Sequence, residues 1–154
     1  SRSRHHRRRA HQGGPLRTSS LLTVVLDASA TVEYLIGSTR ASHVRHVIRA
    51  RRESLHVPAL CDVEVVSALR RLLLRGDLTQ DRATQALRDY LDLPLRRSGH
   101  QHLLARVLQL RTNFSAYDAT YVALAEGLRA RLLTGDEALA RAVERHLQIE
   151  AVLA

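Results

Sequence analysis

The chain is read as an α/β protein, a mostly parallel sheet with helices on both faces. Three observations predict this class. A short apolar run, Thr23-Val24-Val25-Leu26, ends in Asp27 and turns at once into a helical pattern. Further short apolar runs recur downstream, separated by helix-length amphipathic stretches. Strands that alternate with helices need crossover connections, and those produce parallel sheets with helices on their faces. Finally, 45% hydrophobic content over 154 residues is enough for one domain with a real core.

The elements follow in order. Residues 1–20 carry six Arg and no acid and lack hydrophobic periodicity, so they read as a disordered Arg-rich arm outside the fold. The chain contains no Met, and the arm is either upstream sequence or a nucleic-acid-binding tail. Residues 23–26 have the continuous apolar character of a strand buried on both faces. Val32, Leu35 and Ile36 then recur at helical spacing up to Gly37, placed as a helix-ending glycine. Residues 40–52 form an Arg-rich helix with Val44, Val47 and Ile48 on one face. Leu55 to Pro58 is a short strand, and 60–75 is a strong helix stopped by Gly76. Asp77-x-x-Gln80 has the pattern of a capping box and opens a helix to about Leu91. Leu93-Pro94-Leu95 is a weak strand, held to an edge by its proline. Helices are expected over 100–112, over 115–128 with an end near Gly127, and over 136–147. Strands are expected at 131–134 and 149–153.

Composition excludes several functions. Every one of the 24 basic residues is Arg, which removes a P-loop lysine, a Schiff-base lysine and a Ser-Lys dyad. No apolar run approaches the roughly 20 residues that span a bilayer, so no membrane partner is expected. The single cysteine, Cys61, reads as a core thiol; it rules out an internal disulfide framework and fits a reducing, cytoplasmic setting. The net charge of +9 falls to +3 without the arm, so a polyanion partner is compatible but not demanded. His43 and His46, on the Arg-rich helix, read as solvated. Tyr117 and Tyr121 share a helix face and suit either core packing or base stacking.

Four carboxylates stand at informative places. Asp27 follows the first strand. Glu64 lies early in the helix after the second strand, among uncharged neighbours, with Arg71 the only basic residue along its stripe. Asp118 lies in the first turn of the helix opened by Ser115, and Asp136 directly follows the strand ending at Thr134. In a parallel sheet, strand ends and the starts of the following helices lie along one edge. Two carboxylates about 5 Å apart repel by roughly 3 kcal/mol at an effective dielectric near 20, so four together call for a cation. Mg²⁺ and Mn²⁺ accept such hard oxygen ligands. Each acid also has a structural use: Asp27 as a helix cap, Ser115-x-x-Asp118 as a capping box, and Thr134-x-x-Glu137 as another with Asp136 beside it.

Taken with their spacing, four segments resemble a PIN domain of the kind found in VapC toxins of bacterial toxin–antitoxin pairs. They are Val24-Val25-Leu26-Asp27-Ala28-Ser29-Ala30, Val57-Pro58-Ala59-Leu60-x-x-x-Glu64-Val65-x-x-Ala68-Leu69, Ser115-Ala116-Tyr117-Asp118-Ala119-x-Tyr121-Val122-Ala123-Leu124-Ala125 and Leu132-Leu133-Thr134-Gly135-Asp136-x-x-Leu139-Ala140. The resemblance assigns residues 21–154 to the domain and implies a three-layer α/β/α sandwich. It implies an Mg²⁺- or Mn²⁺-dependent endoribonuclease in which a metal-activated water attacks an RNA phosphodiester. Asp27 and Asp118 match the principal metal ligands. Glu64 and Asp136 match the remaining acids of the catalytic and metal site. Ser29 and Thr134 match supporting hydroxyl residues. A cognate antitoxin and a homodimer are implied as partners. The competing class is a PIN-like module that binds nucleic acid or antitoxin without catalysis. A HAD-type phosphatase would want an acid where Ser29 stands, and a response receiver would want a lysine.

Overall fold

A computed structural model describes residues 22–154, and the predicted arm at 1–20 lies outside the described residues. Five strands form one parallel sheet in the order β3-β2-β1-β4-β5. They are β1 (Leu22–Leu26), β2 (Glu53–Pro58), β3 (Leu95–Ser98), β4 (Arg131–Thr134) and β5 (Ala151–Leu153). Between them run α1 (Ala28–Ile36), α2 (Ser42–Ala50), α3 (Leu60–Arg75), α4 (Gln80–Asp92), α5 (Leu104–Gln109), α6 (Ala116–Leu128) and α7 (Glu137–His146).

Strand β1 is central, and its side chains suit burial on both faces. Val24, Val25 and Leu26 are buried, and β1 pairs with β2 on one side and β4 on the other. Its ladder continues past the strand, where the Asp27 amide donates to the Leu133 carbonyl at 3.0 Å. From β1 the chain builds outward to β2 and β3, then crosses back to β4 and β5. The β1–β4 boundary is therefore the topological switch point, where open α/β sheets form a crevice. Right-handed crossovers put α1–α4 on one face and α5–α7 on the other. Helix α6 packs against β1, β2 and β4 and is buried along Ala119–Ala125, as its nearly all-apolar sequence requires.

Several boundaries differ from the sequence reading for identifiable reasons. Helix α4 is capped by Thr79, which accepts from the Arg82 amide, and not by Asp77. Asp77 already serves α3: its amide donates to the Leu72 carbonyl at 2.9 Å while Gly76, at φ 77°, donates to Leu73. That is a Schellman closure. Helix α6 ends at Leu128, as the 115–128 reading has it, and only its cap differs: Arg129, not Gly127, takes the left-handed conformation, at φ 52°. Strand β3 begins after Pro94, which has no amide to give a ladder, and forms an edge with Arg96 and Arg97 exposed. The expected helix at 100–112 divides into a 3₁₀ turn, Gln101–Leu103, and the short α5. Residues 39–41 are likewise a 3₁₀ turn, so α2 starts at Ser42. The last strand is shorter than expected and starts at Ala151.

Candidate active site

The C-terminal ends of β1 and β4 meet at a buried carboxylate. Asp27 ends β1 and caps α1, and it is only 5% exposed. Its Oδ1 accepts from the Ala30 amide at 2.8 Å and from Ser29 Oγ at 2.7 Å. Its Oδ2 accepts from Thr134 Oγ1. Both hydroxyls are held in turn by the loop after β4: Ser29 Oγ accepts from the Gly135 amide at 2.9 Å, and Thr134 Oγ1 from the Asp136 amide at 2.9 Å. Ser29 and Thr134 thus tie a buried carboxylate to the backbone that leads into α7. Thr134 is not the cap of a box with Glu137; Asp136 itself caps α7, its Oδ1 accepting from the amides of Ala138 and Leu139.

The other acids arrive from separate helices. Asp118 is half-buried in the first turn of α6, where its amide donates to Ser115 Oγ at 3.1 Å. Glu64 is half-buried on α3, and its Oε2 accepts from Tyr121 Oη at 2.6 Å. The partner that Glu64 needs is therefore a phenol on α6, not Arg71. Asp27, Glu64, Asp118 and Asp136 line one cavity of about 610 Å³, together with Ser29, Glu33, Arg71, Tyr117 and Tyr121. Thr134 stands behind Asp27, buried beneath that surface.

The electrostatics express this crowding. Burial pushes the Asp27 carboxyl up to about 6, against the pull of its Ala30, Thr134 and Ser29 hydrogen bonds, and the Asp118 charge adds to the rise. Burial also raises Asp118, opposed by Ser115 and reinforced by the Asp136 charge. The three aspartates therefore feel one another across the cavity. Tyr121 is raised far above an ordinary phenol, by burial first and then by Cys61 and Glu64, so it remains a hydrogen-bond donor.

Among the described residues, no three His, Cys, Asp or Glu side chains approach closely enough to hold an ion by themselves. The donor set nevertheless fits a hard divalent cation. It is all oxygen, it is crowded with like charge, and Mg²⁺ is commonly held through one or two carboxylates with its remaining positions on water.

Two features of the cavity escape a reading of the sequence. Glu33 is a fifth carboxylate on the lining. Its spacing from Ser29, four positions along α1, puts both on one helix face and was the available signal. Tyr117 and Tyr121 share a face and both line the cavity, yet Tyr121 is buried at 2% and Tyr117 is 62% exposed, so Tyr121 forms part of the wall and Tyr117 stands open to solvent.

Comparison with known proteins agrees with this architecture. The chain is 37% identical over 129 residues to Ribonuclease VapC12 of Mycobacterium tuberculosis, covering 84% of this chain and 98% of that protein. It is 44% identical over 126 residues to Ribonuclease VapC3 of the same species, covering 81% and 90%. In structure it resembles VapBC2 from Rickettsia felis, solved bound to a DNA fragment from their promoter, with a TM-score of 0.64 at 11% identity over 86% of this chain and 98% of that one. A family model described as the PIN domain matches residues 24–144. With the acids in that order along a five-stranded parallel sheet, the chain belongs to the PIN domain family.

Proposed function

We propose that this protein is a metal-dependent endoribonuclease and the toxin of a toxin–antitoxin pair. One observation carries the chemistry: carboxylates from four distant segments, one of them almost fully buried, face a single cavity at the switch point of the sheet. The relatives named as VapC ribonucleases support the substrate class. PIN-domain ribonucleases generally depend on a divalent metal, and Mg²⁺ or Mn²⁺ suits this oxygen-only set.

Asp27 and Asp118 would hold the ion, with Asp136 and Glu64 completing its surroundings. When bound there, the ion would supply Lewis-acid polarisation of the phosphodiester and stabilisation of charge on the leaving oxygen. The chain's own contribution is placement. Ser29, Thr134 and the Ala30 amide fix both oxygens of Asp27, so the carboxylate cannot swing away when charge is added beside it. Tyr121 fixes one oxygen of Glu64 and leaves the other for the cavity. Asp136 keeps Oδ1 on the α7 amides and turns Oδ2 free of that cap. The remaining parts of the reading are a cognate antitoxin, a homodimer and a cytoplasmic setting. No helix of the described residues is long and apolar enough to cross a membrane.

Incubation of the chain with RNA tests the reading. Cleavage is expected with Mg²⁺ or Mn²⁺, and it stops with chelator and in Asp118→Asn. Cleavage that survives chelation, or no cleavage of any RNA with metal present, defeats it.

A further inference from the structure

We propose that Tyr117 stacks on a base of the RNA and that Arg71 holds a phosphate beside the one that is cut. This rests on the ribonuclease reading and adds two residues that bind the substrate.

The chain has four Tyr and one Phe. Tyr90, Tyr121 and Phe114 are buried and Tyr34 is half-buried. The one mostly exposed ring, Tyr117, is on the acid cavity, next in sequence to Asp118. Val63, 70% exposed beside Glu64, adds apolar surface to the same lining. An apolar ring and wall beside a carboxylate cluster suit a flat, apolar-faced base joined to a charged backbone.

Among the described residues Arg71 is the only cation on that lining, against five carboxylates. Yet it is not paired with any of them; its guanidinium donates to Ser67 Oγ at 3.3 Å, on its own helix. By contrast, Arg97, Arg106 and Arg131 all sit on carboxylates. An exposed guanidinium at a cavity mouth is available to an incoming anion. Arg71 lies seven residues beyond Glu64 on α3, about 10 Å along the helix axis. It is therefore displaced from the acids and suited to a neighbouring phosphate, not the scissile one. A base within a duplex is covered on both faces, so only a splayed base can offer a face to Tyr117.

The test is fluorescence anisotropy of a labelled, non-self-pairing RNA oligonucleotide and of its duplex. It uses the full chain carrying Asp27→Asn with Mg²⁺ present, so that binding is read without cleavage. Tyr117→Ala is expected to weaken single-strand binding by about five- to a hundredfold, and Tyr117→Phe to stay within about twofold. Arg71→Gln should lower the slope of log K against log salt by about 0.7, the loss of one phosphate contact on a single strand. The duplex should bind more weakly than the single strand. Parent-like binding by Tyr117→Ala and Arg71→Gln, equal binding of duplex, or no binding by the Asp27→Asn parent overturns the proposal. Metal-dependent cleavage of the same oligonucleotide by the wild-type chain leaves the ribonuclease reading standing in each of those cases. Failure of that cleavage as well removes both.

Discussion

The Tyr121 hydroxyl reaches Glu64 Oε2 at 2.6 Å, joining α6 on one side of the sheet to α3 on the other. The bond crosses the end of the sheet where the acids gather. It gives a half-buried carboxylate a fixed direction. Tyr121→Phe keeps the ring and deletes only this donor. It is expected to cost about 1.5–3 kcal/mol in urea unfolding, as for a hydrogen bond to a charged group. Cleavage should fall by about 10- to 100-fold, the usual loss when a partner of a metal-site acid is removed. Wild-type cleavage by a folded Tyr121→Phe would show that Glu64 needs no such direction.

Asp27 ties function to a stability cost. Its carboxyl titrates near 6 in the fold, above the ordinary 3.8. The folded protein then holds this proton more tightly than the unfolded chain, so its contribution to stability is present below about pH 4 and lost as pH rises through 6. A rise of that size corresponds to about 3 kcal/mol. Asp27→Asn should therefore be more stable than wild type by up to about that amount at pH 7.5 with chelator present, because Asn also caps helices well. The difference should shrink towards pH 4. Urea unfolding at the two pH values measures it, and a less stable Asp27→Asn at pH 7.5 contradicts it. The same variant should cleave no RNA.

Thr134 serves two polar groups, donating to Asp27 and accepting from the Asp136 amide. Thr134→Val keeps the shape and abandons both. A loss of about 1–3 kcal/mol is expected from the unsatisfied groups. The Asp27 carboxyl also loses an interaction that lowers it, so the acid limb of the cleavage–pH profile should move to higher pH. Thr134→Ser should restore both properties, and an unshifted profile in Thr134→Val would remove Thr134 from the site.

Gly135 lets the loop after β4 lie against α1. A Cβ there would meet Glu33 Cδ, Glu33 Oε1 and Ser29 Oγ, each at 3.3 Å. Glu33 has a flexible side chain and gives way. Ser29 Oγ does not, because it is bonded to both Asp27 and the Gly135 amide. Gly135→Ala is expected to reduce cleavage more than stability, through displacement of Ser29. Assays of both on the purified variant, with a drop in stability alone, would contradict this.

Much of this architecture is legible in the sequence because it is written in local patterns. The β1 run is short, apolar and ends in an acid, and Asp27, Glu64, Asp118 and Asp136 each sit at a strand end or early in a helix. A parallel sheet sends those positions to one edge, and all four line one cavity. What local pattern does not carry is partnership. Tyr121 and Glu64 are 57 positions apart, and no periodicity joins them. Glu33 looks like any acid on an amphipathic helix until Gly135 brings the opposite loop against it. Asp77 and Thr79 compete for one cap, and the outcome depends on how α3 closes. Helix α6 ends at Leu128 as read, yet the left-handed cap is Arg129 and not the nearby Gly127.

The pairing of β1 with β4 joins Leu26 to Leu133 across most of the domain. A ribosome-bound chain that has emerged only as far as α6 already contains Asp27, Glu64 and Asp118. It lacks the strand that closes the crevice and the hydroxyl that seats Asp27. The cradle of Asp27 is complete only when β4, more than a hundred residues further along the chain, has docked beside β1.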